Sequence, residues 1–175
     1  MSATTLLSSL FQYKAWANQE LFAALQSLDE TAHEGERHTV IRILNHIYVV
    51  DRIFAANLLK IPHEYTATNT PETPALEDLR AVVFETDLWY EGYVAKLKQD
   101  DLNENIEFVF TDGTLGRMSR EEMLAHVVTH GGYHRGAVGR IMTQLSIAPP
   151  RDSLTVFLHR SEPARRDRAD QGTTD

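Results

Sequence analysis

Apolar residues recur at steps of three and four in four separate stretches of the chain, the period of a single helix face. From about Thr4 to Leu28, the residues Leu7, Leu10, Phe11, Ala17, Leu21, Leu25 and Leu28 share one face, and Lys14 falls on it with them. From about Thr39 to Lys60, an inner stripe of Ile43, Ile47, Val50, Phe54 and Asn57 runs on to Ile61, and Pro62 ends it. A polar connection, HEYTATNTPETPA, follows; its length suits a crossing of the bundle better than a tight hairpin. The third stretch runs from after Pro74 to about Gln99, with Leu79, Val82, Val83, Thr86, Tyr90, Tyr93 and Leu97 inward. Residues 104–118 break the helical period. Their β-branched and aromatic residues flank Asp112-Gly113, which predicts a β-hairpin. Ser119 and Glu122 have the spacing of a capping box and start a fourth helix that reaches about Leu145, before Pro149-Pro150. DSLTVFLH (152–159) predicts a short fifth helix capped by Asp152. The pattern as a whole predicts an all-α four-helix bundle with a small hairpin before its fourth helix. One domain over 1–162 is expected, followed by a disordered polar tail over 163–175.

Composition narrows the chemistry. The net charge of −8 argues against a nucleic-acid binder, since a basic patch drives most of that affinity, and it disfavours anionic membrane. With no cysteine, disulfides, thiolate metal sites and a cysteine nucleophile are excluded. Any thiol in the reaction comes from outside the chain. The N-terminal segment lacks the basic start and apolar run of a signal peptide, and no stretch has the length of a membrane span, so a cytoplasmic protein is expected.

The candidate chemistry lies in the histidines. His33, His38, His63 and His159 fall in loops or near predicted helix ends and read as surface residues. His126, His130 and His134 repeat every four residues. Imidazoles at i and i+4 on a helix can share an ion, whereas i and i+8 lie about 12 Å apart along the axis and cannot. One pair therefore binds, with a further ligand from another helix. On a helical wheel His130 and His134 fall within the arc of Met123, Val127, Ala137, Val138, Ile141 and Leu145, with His134 near its middle, and His126 lies just outside. His46, on the edge of the second helix's stripe, is the candidate third ligand. Asp51, on the other edge, reads as a salt-bridge partner for Arg135 or as exposed. Gly132, Gly136 and Gly139 line the opposite side of the fourth helix and suit either a dimer interface or close packing.

The segments YKAWANQEL (13–21), LNHIYVVDRIF (44–54) and HVVTHGGYHRGAVGRIMTQL (126–145) make the chain similar to the DinB/YfiT-like family of metal-dependent bundle proteins, over about residues 4–160. The resemblance implies an up-down-down-up helix order, a divalent ion (nickel or zinc) on His46, His130 and His134, and a homodimer. It also implies a small-molecule substrate, since some relatives are S-transferases or isomerases that use an external low-molecular-weight thiol. The family motif usually continues HRGQ; Ala137 stands here in place of the glutamine, which removes a polar group but no ligand. Three neutral imidazoles leave an ion its full charge and open positions, suited to lowering the pKa of water or a thiol. The expectation is a metal-dependent S-transferase- or hydrolase-like enzyme; the alternative is a non-catalytic bundle braced by its metal. No nucleophile triad is visible, and Tyr133 and Tyr48 are the candidate general bases.

Overall fold

The computed structural model describes residues 2–29 and 31–165. Helix α1 spans Ala3–Leu25, α2 Glu34–Leu59 and α3 Leu76–Val94. A two-stranded hairpin of β1 (Asn105–Val109) and β2 (Leu115–Ser119) precedes α4 (Arg120–Gln144), and a short α5 (Leu154–Ser161) follows. The expected helical bundle with one small hairpin and a C-terminal helix is what the chain forms.

Residue contacts give the helix directions. Phe11 stacks on Tyr90, Lys14 and Asn18 reach Asp87, and Gln26 reaches Glu77, so α1 and α3 are antiparallel. Phe54 stacks on His126 while His46 meets His134, so α2 and α4 are antiparallel too. Lys14 lies against Gly131, and Asn18 accepts from Arg135 one turn further on, which makes α1 and α4 parallel. The order is therefore up-down-down-up, and the two parallel neighbours α2 and α3 require the long connection between them. That connection is pinned to α2. Arg42 donates to the carbonyls of Thr70 and Glu72, Asn69 donates to the carbonyl of Arg42, and Asn45 bonds both Asn69 and Thr70.

Two apolar clusters fill the bundle. One gathers Phe11, Val50, Phe54, Tyr90, Met123 and Val127; the other gathers Leu21, Leu44, Ile47, Leu79, Val138 and Met142. Each of the four long helices also contributes a buried polar residue: Lys14 and Asn18, Asp51, Asp87, and Arg135. Lys14 Nζ lies 2.7 Å from Asp51 and 2.6 Å from Asp87. Asn18 donates to the second oxygen of Asp87, and the Tyr90 hydroxyl donates to the backbone carbonyl of Asp51. Asp51 is thus neither exposed nor paired with Arg135, as the sequence had suggested. Arg135 reaches instead to Asp152, at 2.7 Å, while Asp51 pairs with Lys14.

This reassigns Asp152 as well. It does not cap α5; Ser153 does, accepting from Val156 N, while Asp152 accepts from Arg135 and from the Tyr13 hydroxyl. Helix α5 then packs Phe157 onto Tyr13 and Trp16 of α1. Pro163–Arg165, expected to be disordered, form a 3₁₀ turn in which Arg165 pairs with Glu162. Residues 166–175, where the rest of the expected tail falls, lie outside the described residues. Helix α2 begins five residues before the expected Thr39, its first turn carrying Glu34 and Glu36, which suit the positive helix end. Helix α3 stops at Val94, and Gln99–Asn103 form a separate 3₁₀ turn.

Candidate metal centre

Helix α4 sets the phase of two of the three candidate ligands, and its start is tightly specified. Ser119 Oγ accepts from Glu122 N, and Glu122 Oε2 accepts from Ser119 N, completing the capping box read from the sequence. One and two turns beyond His126, His130 and His134 leave α4 on the side that faces α2. His46 leaves α2 toward them. The ring centroids lie 4.9 Å apart for His46 and His130, 4.7 Å for His46 and His134, and 4.5 Å for His130 and His134. One ligating nitrogen from each of the three falls within 4.8 Å of the others. His46 Nε2 and His130 Nε2 are 3.1 Å apart. Two nitrogens bound to one tetrahedral ion at about 2.0–2.1 Å stand about 3.3 Å apart, so the donor set fits a first-row divalent ion after small ring rotations. Among the described residues no carboxylate and no fourth histidine joins this group.

The outer contacts orient the rings. His46 Nδ1 lies 2.7 Å from the backbone carbonyl of Thr68, in the connection that Arg42 and Asn45 hold against α2. A carbonyl only accepts, so Nδ1 carries the proton and the Nε2 lone pair points at the site, the arrangement usual for a metal-binding imidazole. Buried His130 Nδ1 has no hydrogen-bond partner. Burial, then the neighbouring rings of His134, His46 and His126 and the charge of Lys14, push the His130 pKa down from 6.5 to about 3. Burial and His46 lower that of His134, and burial lowers that of His126. His130 and His134 are therefore held neutral, the form that ligates.

The expected pair 130/134 and His46 are thus brought together, and His126 is not part of the group. His126 stacks instead between Phe54, at 4.6 Å, and His130, at 5.2 Å. The helical wheel needs one correction. The buried face of α4 is formed by Leu124, Val127, Val128, Gly131, Arg135, Val138 and Met142, and Ala137 is exposed. The histidines therefore lie on the rim of the core and not near its middle, half-buried and open on one side. Apolar residues alone mislocate that face because Arg135 and Gly131 occupy its centre, Arg135 by virtue of its ion pair and Gly131 because Lys14 and Arg135 crowd it. Neither candidate base gains support. Tyr48 is pushed up to about 12 by burial and its hydrogen bond with Tyr65, and Tyr133 is 78 % exposed. Of the three small residues on α4, Gly139 packs on Pro149 and Gly136 faces open space.

Two features went unread in the sequence. Thr68 had no signal, since its carbonyl counts only through the path of the connection. The other is a cavity of about 310 Å³ between α2 and the hairpin, which touches both His46 and His130. The alternation in β1, with Ile106 and Phe108 inward, was the available sign that the hairpin closes over α2.

The family model of the DinB family matches residues 1–167. The chain is also 26 % identical over 168 residues to the protein DinB of Bacillus subtilis (strain 168), a match that covers 89 % of this chain and 96 % of that one. No solved structure matches significantly. A bundle in this order, three histidines converging from α2 and α4, and a family match over nearly the whole chain agree: the chain belongs to the DinB family.

Proposed function

We propose that this protein is a metal-dependent enzyme whose His46, His130 and His134 hold a divalent ion, nickel or zinc, and whose reaction uses water or an external low-molecular-weight thiol as nucleophile. The observation that carries the reading is the convergence of three ligating nitrogens within 4.8 Å, on the rim of the core, with no further protein ligand among the described residues. A site that offers three protein ligands and is open on one side suits catalysis better than a closed structural site with four. A divalent ion there supplies charge that lowers the pKa of water or of a thiol toward neutrality. The chain's own residues orient the ligands through Thr68 and keep His130 and His134 neutral. The absence of cysteine fits a thiol supplied from outside.

The alternative, a bundle merely braced by its ion, has a specific observation against it: the interior already has two apolar clusters joined by an ionic layer, independent of the histidines. Titrating untagged protein with nickel and with zinc decides the first step, with about one ion per chain expected. His130→Ala and His134→Ala should each weaken binding by at least about 100-fold, more than loss of an outer partner does. The second step compares metal-free and metal-loaded protein for consumption of 1-chloro-2,4-dinitrobenzene by added cysteine and for hydrolysis of 4-nitrophenyl acetate. Acceleration of either only in the loaded form, with metal-free protein still folded, supports the enzyme. Unfolding on chelation with no turnover of either probe refutes it.

The same reading includes a homodimer in the cytoplasm, without nucleic-acid or membrane partners. The net charge of −8 supports the latter, and no described helix is long and apolar enough to cross a membrane. Sedimentation velocity tests the dimer: a single species of about 20 kDa at tens of micromolar would remove it.

A further inference from the structure

The cavity beside the candidate metal centre is walled by α2 on one side and the hairpin on the other. Val50, Ile53 and Phe54 form the helix wall, and Phe108, Phe110 and Met118 the hairpin wall. His46 and His130 close one end of it. At its other end it adjoins a second cavity of about 420 Å³ under Ile61, His63 and Tyr65, and the two share Asn57, Val109, Phe110 and Thr111. The first cavity's volume is in the range of small-molecule sites, and such sites are apolar with a few placed polar groups. Among the described residues, no lysine, arginine, aspartate or glutamate lines either cavity. In the metal-free chain an ionic ligand would enter without a countercharge, which is costly. The rim is apolar, with Val109 and Phe110 about half exposed.

Asn57 supplies the placed polar group. It lies where the two cavities meet, and its Nδ2 is buried without any hydrogen-bond partner. A buried donor left unpaired costs about 1–3 kcal/mol, and a ligand acceptor would relieve that cost. The amide turns about its terminal torsion at little expense, so a carbonyl oxygen in the cavity can reach it. The shape of the hairpin wall is specified as well. Gly116 lies opposite Phe108 in the strand pair, and a Cβ there would come within 2.6 Å of the Phe108 ring and 2.8 Å of the Phe110 ring. The glycine lets both rings lie across the strand.

We infer that this cavity is the substrate subsite of the same centre, that it takes a neutral, largely apolar carbonyl compound of the ester, amide or ketone class, and that Asn57 Nδ2 donates to its carbonyl oxygen. The inference rests on the proposed function only in placing the ligand beside the ion. The subsite itself belongs to the chain and is testable without metal.

Three probes of one shape separate the claims: 2-acetylnaphthalene, 2-ethylnaphthalene and 2-naphthoate, measured by equilibrium dialysis against metal-free and nickel-loaded protein. Metal-free protein should bind the ketone about tenfold more tightly than the hydrocarbon, the size of one net hydrogen bond, and should bind the carboxylate least. Asn57→Leu should remove the preference for the ketone while keeping the hydrocarbon. Asn57→Asp, which keeps the shape but replaces the donor with an acceptor, should remove the same preference if the leucine variant fails to fold. Met118→Trp, filling the cavity, should abolish binding of both neutral probes. In metal-free protein, equal binding of ketone and hydrocarbon overturns the role of Asn57, tighter binding of the carboxylate overturns the neutral class, and no binding of any probe overturns the subsite. Nickel uptake without probe binding sinks this inference alone; Asn57-dependent probe binding by a chain that takes up no nickel supports it and sinks the metal reading alone.

Discussion

Replacing Lys14 by methionine tests the ionic layer between the two apolar clusters. The ammonium is fully buried and lies 2.7 Å from one carboxylate and 2.6 Å from the other, with Asp51 and Asp87 themselves only 2 % and 4 % exposed. Methionine fills most of the space but removes the charge. The two carboxylate oxygens that Lys14 bridged are then no more than about 5.3 Å apart, and their repulsion at an effective dielectric of about 20 is at least about 3 kcal/mol. Removing one partner of a buried ion pair generally costs about 3–5 kcal/mol. Against a total stability of about 5–15 kcal/mol, that is a large fraction.

The loss should depend on pH in one direction. Burial raises the Asp51 pKa from 3.8 to about 6 even with Lys14 beside it, and the charge of Asp87 adds to the rise. Without Lys14 it rises further. An acid whose folded pKa lies above its unfolded one loses stability as pH rises through that interval. The variant should therefore be about 3–5 kcal/mol less stable than the parent at pH 8, and the gap should narrow as pH falls toward 4, where Asp51 is protonated and no longer repels Asp87. Urea denaturation followed by far-ultraviolet circular dichroism at the two pH values measures both. A loss under 1 kcal/mol at pH 8, or the same loss at both, would refute the assigned role of the layer.

Other perturbations have equally definite outcomes. The His130 pKa is lowered from 6.5 to about 3, so the unfolded chain binds a proton that the folded chain refuses. Stability of the metal-free protein should fall as pH drops from about 6.5 toward 3, and His130→Gln should flatten that part of a melting-temperature profile. Gly116→Ala places a Cβ within 2.6 Å of the Phe108 ring and should cost about 1–3 kcal/mol by overpacking; a melting temperature unchanged within a degree would contradict it. Asp152→Ala leaves the Arg135 guanidinium, whose side chain is 1 % exposed, with the Asn18 amide oxygen and the Tyr13 ring against it and should cost about 2–4 kcal/mol. It should also loosen α5, which Trp16 fluorescence reports through its contact with Phe157.

The sequence by itself determined the elements and most of the site. Helical period placed all four bundle helices, Asp112-Gly113 placed the hairpin, and Ser119 with Glu122 placed the start of α4, because each is a local interaction within a few residues. The spacing of the α4 histidines allowed two pairs, 126/130 and 130/134, and the helical wheel selected 130/134, the pair that the fold brings beside His46. The tertiary structure decided what depends on the charges and backbone of other segments. Lys14 fell on the inner face of α1, but a hydrophobic wheel has no place for the ions that meet it, so it left Asp51, Asp87 and Arg135 out of the centre of the bundle and moved the histidines too far inward. Asp152 looked like a cap because caps are local, yet Arg135, 17 residues before it, claims it. The carbonyl of Thr68, the unpartnered amide of Asn57 and the cavity beside His130 arise only where α2, its long connection and the hairpin converge, which no local pattern encodes.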